Sequence, residues 1–167
     1  MANTIVYRHT TLADLEQVKH LGLISYGQFT DVLGTENWEQ MKLVIDNNEN
    51  WHHILTDSTG FVCCDEEKIV GMAFIFPSGK GWHFFKPEWS FIRMVGVDPA
   101  YSGKGIAKAL TQKCIAHAKQ NGEKIIALHT SEFMDAARHI YESAGFKVKE
   151  PLEGRYGKKY WLYTMEL

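Results

Sequence analysis

Met94-Val95-Gly96-Val97-Asp98-Pro99-Ala100-Tyr101-Ser102-Gly103-Lys104-Gly105-Ile106-Ala107 reads as a strand, a turn, a glycine-bracketed loop and the start of a helix. The strand is apolar up to Val97, and Asp98-Pro99 ends it by removing a backbone donor and fixing φ. Gly103 and Gly105 have no Cβ, so the main chain there can turn sharply and a ligand can approach it closely. From Ile106 the period becomes helical, with Ile106, Leu110, Cys114 and Ala118 on one face. The first N–H groups of such a helix lack intrahelical partners, and its dipole favours negative charge. The pattern therefore predicts a phosphate site built from main chain. Two familiar phosphate loops do not fit. A Walker loop needs Ser or Thr after Gly-Lys, but Gly105 follows Lys104; a dinucleotide fingerprint needs a third small residue where Lys108 stands. The stretch also lies past the chain's midpoint, whereas a βαβ nucleotide fold places its fingerprint on the first strand.

Working outward, Asn121-Gly122 predicts the helix stop, and Lys124 to Thr130 a short apolar strand of the buried parallel kind. A helix is expected from about Phe133 to Ser143, because Phe133, Ala136, Ala137, Ile140, Tyr141 and Ala144 share one face and Gly145 closes it. Phe146-Lys147-Val148 begins a strand, Pro151 to Gly157 reads as a loop, and Lys159 to Glu166 as a last alternating strand. Upstream, Ile5 to His9 is a strand, Thr11 and Asp14 make a capping-box-like start, and Leu12, Leu15, Val18 and Leu21 follow a helical period. Tyr26, Gly27, Phe29 and Gly34 mark its end, and a second helix runs from about Asn37 to Asn47. Trp51 to Thr56 reads as a strand or an irregular link. Phe61 to Cys64 and Lys68 to Phe76 form a hairpin, and an aromatic segment from Trp82 to Phe85 precedes a central strand from about Trp89 to Val97. No linker, low-complexity tract or repeat divides the 167 residues, so one domain over 1–167 is expected.

Val97-Asp98-Pro99 followed by Ser102-Gly103-Lys104-Gly105-Ile106-Ala107 resembles the cofactor motif of the GNAT superfamily of acyl-CoA-dependent N-acyltransferases, Val-x-Pro and then Gln/Arg-x-x-Gly-x-Gly/Ala. Ser102 stands where Gln or Arg is usual. Ala137-Arg138-His139-Ile140-Tyr141-Glu142-Ser143-Ala144-Gly145-Phe146 resembles the family's Ala-x-x-x-Tyr-Glu-x-x-Gly-Phe signature, and the 34 residues from Ala107 to Tyr141 hold a helix, a strand and most of another helix. The motifs and their flanks cover about residues 88–149; residues 1–60 resemble the family only in layout, as an acceptor-side strand and helices.

The resemblance implies an α/β fold with a mixed, mostly antiparallel sheet, splayed at the cofactor site and flanked by helices on both faces. It implies acetyl-CoA as the acyl-donor cosubstrate, with no metal. The main chain of Val95, Gly96 and Val97 would bind the pantetheine arm where the strand splays, with Gly96 allowing a bulge. The loop Ser102, Gly103, Lys104, Gly105, Ile106 and Ala107 would hold the diphosphate, and Lys104 and Lys108 would meet adenosine phosphates. Many relatives carry an Asn that bonds pantetheine where Met134 stands here; Ser131 is the candidate replacement.

Acyl transfer to an amine needs a base for the amine, a donor for the oxyanion and an acid for the thiolate. By the same resemblance, Tyr141 is the general acid and a main-chain N–H near Val95 to Val97 the oxyanion donor. Some family members use a Glu on the central strand as base. The matching place is Phe91, and Arg93 stands two residues on; neither takes a proton from ammonium. Glu88, His83 and His129 are the nearby candidates, beside a water chain or deprotonation in solution. Tyr26, Phe29 and Trp38, with Phe91 and Arg93, are candidate acceptor contacts.

The composition is globular, at 45% hydrophobic and 13% aromatic residues. No apolar run approaches the ~20 residues of a membrane span, and the polar N-terminus is not a signal peptide, so neither a membrane nor export is expected and the cytoplasm is. Cys63, Cys64 and Cys114 give no disulfide or zinc framework. A net charge of −2 argues against nucleic acid as the main partner. Residues 1–60 carry three Lys/Arg against eight Asp/Glu, and the remainder fifteen against twelve. An acidic acceptor side would suit a cationic amine. The expected function is an N-acetyltransferase acting on the primary amine of a small molecule; the alternatives are a protein or peptide N-acetyltransferase and a non-catalytic acyl-CoA sensor. A homodimer is expected from the family's habit of strand-mediated pairing.

Overall fold

A computed structural model describes residues 5–167. Its strands are β1 (Ile5–His9), β2 (Thr59–Asp65), β3 (Lys68–Phe76), β4 (Ser90–Val97), β5 (Ile125–Ser131), β6 (Lys147–Arg155) and β7 (Lys158–Glu166). They form one sheet in the order β1-β2-β3-β4-β5-β7-β6, antiparallel throughout except between β4 and β5. Between β1 and β2 lie α1 (Leu15–Gly27), α2 (Thr30–Leu33), α3 (Thr35–Ile45) and α4 (Asn48–Asp57). The helix α5 (Ile106–Gln120) joins β4 to β5, and α6 (Asp135–Ala144) follows β5. This is the α/β architecture, with its mixed sheet and helices on both faces, that the two motifs implied.

Each face of the sheet has its own core. Val18, Leu21, Ile45, Trp51 and Ile54 from the first helices pack on Val62, Met72 and Phe74. On the other face Ile106, Leu110, Cys114 and Ala118, the predicted stripe of α5, pack on Val70, Ala73, Ile75 and Ile126. Because β3 is covered on both sides, every residue from Ile69 to Phe76 is buried, the pattern of a strand with no solvent face. Adjacent Cys63 and Cys64 point into opposite cores, as neighbours on a strand must. All three cysteines are free and buried. No helix among the described residues is long and apolar enough to cross a membrane.

The structure corrects three local readings. Trp51 to Thr56 is not a strand or link but the body of α4. The side chain of Asn47 caps that helix by accepting from Asn50 N–H at 3.0 Å, and Trp51 and Ile54, three apart, are its buried positions. Pro151 to Gly157 is not all loop: β6 continues through Arg155, which Pro151 permits because β6 is the last strand at that edge of the sheet. The expected bulge does occur in β4, but not at Gly96. Met72 pairs with Gly96 and Phe74 with Arg93, so Met94 and Val95 together oppose Ala73. Met94 takes φ +57 to do so, and Gly96 serves a different need: a Cβ there would lie 3.1 Å from Ser25 Oγ and 3.2 Å from Met72 Cε.

Candidate active site

β4 and β5 run side by side only briefly. Their register holds Ser90 against Ile126 and Phe91 against Ala127, and no further pair follows. Beyond Phe91 the strands part, and the cleft between them is the candidate site. Asp98 N–H donates to Val70 O on β3 at 2.9 Å. By alternation Val97 N–H faces the cleft, where Ser25 Oγ accepts it at 3.3 Å. Val95, two residues back, lines the cavity at the other end of the cleft.

One end of the cleft is the glycine loop. Gly103 and Gly105 sit at φ +76 and +77, the left-handed region, with open space where a Cβ would project. The glycines are thus required by backbone conformation rather than by crowding. Gly105 is the residue from which α5 starts. Ser102 N–H donates to Pro99 O and Ala109 N–H to Gly105 O, while the amides from Gly103 to Lys108 make no backbone hydrogen bond among the described residues. Six successive unpaired amides at a helix N-terminus fit a diphosphate. Lys104 and Lys108 are exposed beside them, with the Lys104 ammonium 5.2 Å from the centre of the Tyr101 ring.

The other end is a cavity of about 350 Å³. Its floor is Ile92, Arg93, Met94 and Val95 of β4 with Leu128, His129 and Thr130 of β5. Four successive β4 residues reach it because the bulge at Met94 breaks the alternation a regular strand would impose. Tyr26 of α1, Val44 and Ile45 of α3, His53 of α4, Trp82 and His83 of the aromatic segment, Met134 and Tyr141 beside or on α6, Arg155 at the end of β6 and Tyr156 just after it complete it. The cavity is where the splay, the signature tyrosine and the N-terminal helices meet.

Tyr141 is 6% exposed. Gly145, at φ +114, ends α6 and lets Phe146 N–H return to Tyr141 O at 3.0 Å, which explains the Gly-Phe of the motif. The neighbouring Glu142 accepts from Tyr163 Oη at 2.8 Å and ties α6 to β7. Burial, then the nearby Tyr26 and Cys114, push the Tyr141 phenol well above its ordinary value, so it keeps its proton at any working pH. Burial likewise raises Tyr26 to about 12 against the opposing charge of Arg93.

The base candidates separate. Glu88 is exposed and does not line the cavity. His129 does, but Phe84 packs edge-on at 5.1 Å and Phe85 lies parallel at 6.1 Å. Burial first, then Arg155, Arg93 and His83, hold its imidazole down at about 3. Its Nδ1 is buried without a partner, and so weak a base takes no proton from ammonium. His83 lines the cavity edge-on to Trp82 at 4.2 Å. Sequence reasoning missed His53, whose Nδ1 lies 2.7 Å from Asp57 Oδ2. That contact fixes the ring and leaves Nε2 as the proton acceptor. On the expected strand His53 and Asp57 would have had no such contact; on a helix, i and i+4 meet.

Other placements differ from expectation. Phe91 is 2% exposed, stacked between Phe76 at 4.8 Å and Phe85 at 4.6 Å, and belongs to the core. Phe29 packs on Phe133 at 5.0 Å and Trp38 against Gly27, and neither lines the cavity. The hydroxyl of Ser131 is committed to Lys159 O at 2.6 Å, which leaves Met134 without the expected substitute. The acceptor side is not acidic where it matters: no Asp or Glu lines the cavity, whose charged groups are Arg93 and Arg155. Among the carboxylates of residues 5–60, Asp14 pairs with Arg8, Asp46 with Lys19, and Asp57 with His53 and Lys80. No group of three or more His, Cys, Asp or Glu among the described residues could hold a metal.

A family model described as the acetyltransferase (GNAT) family matches residues 24–146. An uncharacterised N-acetyltransferase of Methanocaldococcus jannaschii is 33% identical over 95 residues, 57% of this chain and 37% of the relative. The N-acetylaspartate synthetase of Xenopus tropicalis is 46% identical over 56 residues, 34% of this chain and 21% of the relative. The chain thus spans well under half the length of these curated relatives. The PaiA N-acetyltransferase of Thermoplasma acidophilum, solved with coenzyme A, superposes with TM-score 0.79 at 16% identity, over 98% of this chain and 99% of that one. Arabidopsis thaliana NAA60, solved with a bisubstrate analogue, gives 0.73 at 17% identity over 98% of each. At these identities the structural likeness is one of fold.

Proposed function

This chain belongs to the GNAT family of acetyltransferases, and we propose from that premise that it moves an acetyl group from acetyl-CoA to the primary amine of a small molecule by direct attack. The observation that carries this reading is the cleft between β4 and β5, with six unpaired amides at one end and a walled cavity at the other. Acetyl-CoA supplies an activated thioester, so the protein has only to position, deprotonate and stabilise.

The amides of Gly103 to Lys108 hold the diphosphate. The cleft-facing backbone of Val95 and Val97 receives the pantetheine amides, for which Ser25 Oγ yields Val97 N–H. Val95 N–H is the donor for the developing oxyanion. His53, steadied by Asp57, takes the proton from the amine through Nε2, directly or through a water. Tyr141 donates its phenolic proton to the departing sulfur. The cavity volume, about 350 Å³, suits a small acceptor and lies at the low end for ligand sites; a peptide acceptor would need an open groove. The test is thiol release from acetyl-CoA over a panel of small amines and peptides. Release with small amines supports the reading. Release with peptides alone would transfer it to a protein acceptor, and coenzyme A binding without release on any amine would make the chain a sensor.

A further inference from the structure

The charge of the cavity sets a limit on what enters it. Arg93 projects from the bulged part of β4 and is half-buried. Its guanidinium lies 3.8 Å from the centre of the Trp82 ring and 5.6 Å from that of Phe76. It makes no hydrogen bond and no ion pair among the described residues. Arg155, exposed at the rim, is also without a carboxylate. The other titratable groups that share the cavity are His53, His83, His129, Tyr26, Tyr141, Tyr156 and Tyr160, with no carboxylate among them.

A guanidinium drawn out of water is ordinarily found against a carboxylate, because desolvation without a counter-charge is costly. Here the stacking on Trp82 uses the flat face and leaves the N–H edge free, the edge that grips a carboxylate two bonds at a time. A simple cationic amine would meet like charge on entry. An amino acid would bring its own anion.

We propose that the acceptor carries a carboxylate close to its amine, and that Arg93 receives that carboxylate with Arg155 assisting at the rim. The inference rests on the acetyltransferase reading and names the substrate class within it: amino acids or their close analogues. Binding the carboxylate on Arg93 also fixes where the amine stands relative to the cleft, so Arg93 sets specificity and attack distance together. Burial, and the nearby Arg155, lower Arg93 to about 10, which still leaves it charged at neutral pH. The residues of the diphosphate loop do not line this cavity, so Arg93 is not needed there as a cofactor phosphate ligand.

The experiment uses matched trios: phenylalanine, phenylalaninamide and phenethylamine, with the corresponding methionine set. kcat/KM for thiol release should favour the amino acid over its amide by about 10-fold or more, the size of a lost charge-assisted pair. Arg93→Gln should bring that ratio to about one, Arg93→Lys should keep part of it, and Arg155→Gln should lower it less. Coenzyme A titration of each variant checks folding independently of turnover. Where turnover is too slow to compare, N-acetylphenylalanine and its amide are titrated into the coenzyme A complex; the acid should bind about 10-fold tighter, and only while Arg93 is present. Equal use or binding of acid and amide by the wild type, or a preference that survives Arg93→Gln, overturns the proposal. Failure of the wild type to bind coenzyme A takes down the acetyltransferase reading itself; binding with no carboxylate preference removes this inference alone.

Discussion

Between Gly103 and Lys108 the groups offered to a ligand are main-chain amides from one continuous segment. In the cavity they are the side chains of Tyr26, His53, Arg93 and Tyr141, drawn from four elements far apart in sequence. The first arrangement needs only that a few φ angles be right, so glycines at fixed spacing encode it. The second needs a strand bulge, a helix cap and a hairpin to bring unrelated residues together. A backbone site tolerates changes in its side chains but not in its glycines; a side-chain site has the opposite sensitivities. That asymmetry can be attacked from either end.

The largest effect is expected at the loop. Gly105→Val forces a β-branched residue to φ +77, a strain of ~1–3 kcal/mol, and points a side chain into the anion's path. Calorimetry should show coenzyme A binding weakened about 100-fold, equivalent to ~2.7 kcal/mol. Lys104→Ala and Lys108→Ala should cost a few-fold each; larger losses would mean that the loop works through side chains after all. At the cavity, His129 offers a stability test. Its folded value of about 3 lies below the ordinary 6.5. As pH falls from 6.5 towards 3 the unfolded state therefore binds the extra proton, and stability is lost. The unfolding free energy from urea titration should fall by up to ~2 kcal/mol between pH 6.5 and 5 from this group, and His129→Leu should flatten that slope. An unchanged slope would show that the histidine is more hydrated than its surroundings imply.

Catalytic effects come next. Tyr141→Phe should lower kcat about 10-fold or more with little change in coenzyme A affinity. A matched loss of affinity would reassign Tyr141 from proton donor to packing. The smallest change is expected for His53→Gln, roughly 5- to 10-fold in kcat/KM near neutral pH, towards the weak end of base catalysis. Asp57→Asn should fall between that variant and wild type. Rates unchanged in both would leave deprotonation to solvent or to His83.

The same asymmetry governs what could be read in advance. The strand to Val97, the turn at Pro99, the glycine loop, the stripe of α5 and the Tyr-Glu-x-x-Gly-Phe ending of α6 were legible because each is a local pattern with a local cause. Three things in or around the cavity were not. α4 was hidden because His52, His53 and Thr56 obscure the Trp51–Ile54 spacing; the Asn47 cap was the available signal, and with it would have come the His53–Asp57 pair. The extent of β6 was hidden by Pro151, whose tolerance depends on an edge position that only the sheet order reveals. Phe29, Trp38 and Phe91 look the same in sequence as aromatic residues that line the cavity, because composition does not say which face a ring takes. The surplus of acid in residues 1–60 misled for a similar reason: a charge count has no direction, and those carboxylates do not line the cavity.

Gly96 carries one more consequence. The hydroxyl of Ser25 lies 3.1 Å from where a Cβ on Gly96 would stand, and the next residue along α1 is Tyr26, which walls the cavity. A methyl group at 96 would press on Ser25 Oγ and Met72 Cε, which would have to give by a few tenths of an ångström. The strand beside the cleft and the wall of the cavity thus meet at Ser25, through its close approach to Gly96 and the hydrogen bond it accepts from Val97 N–H.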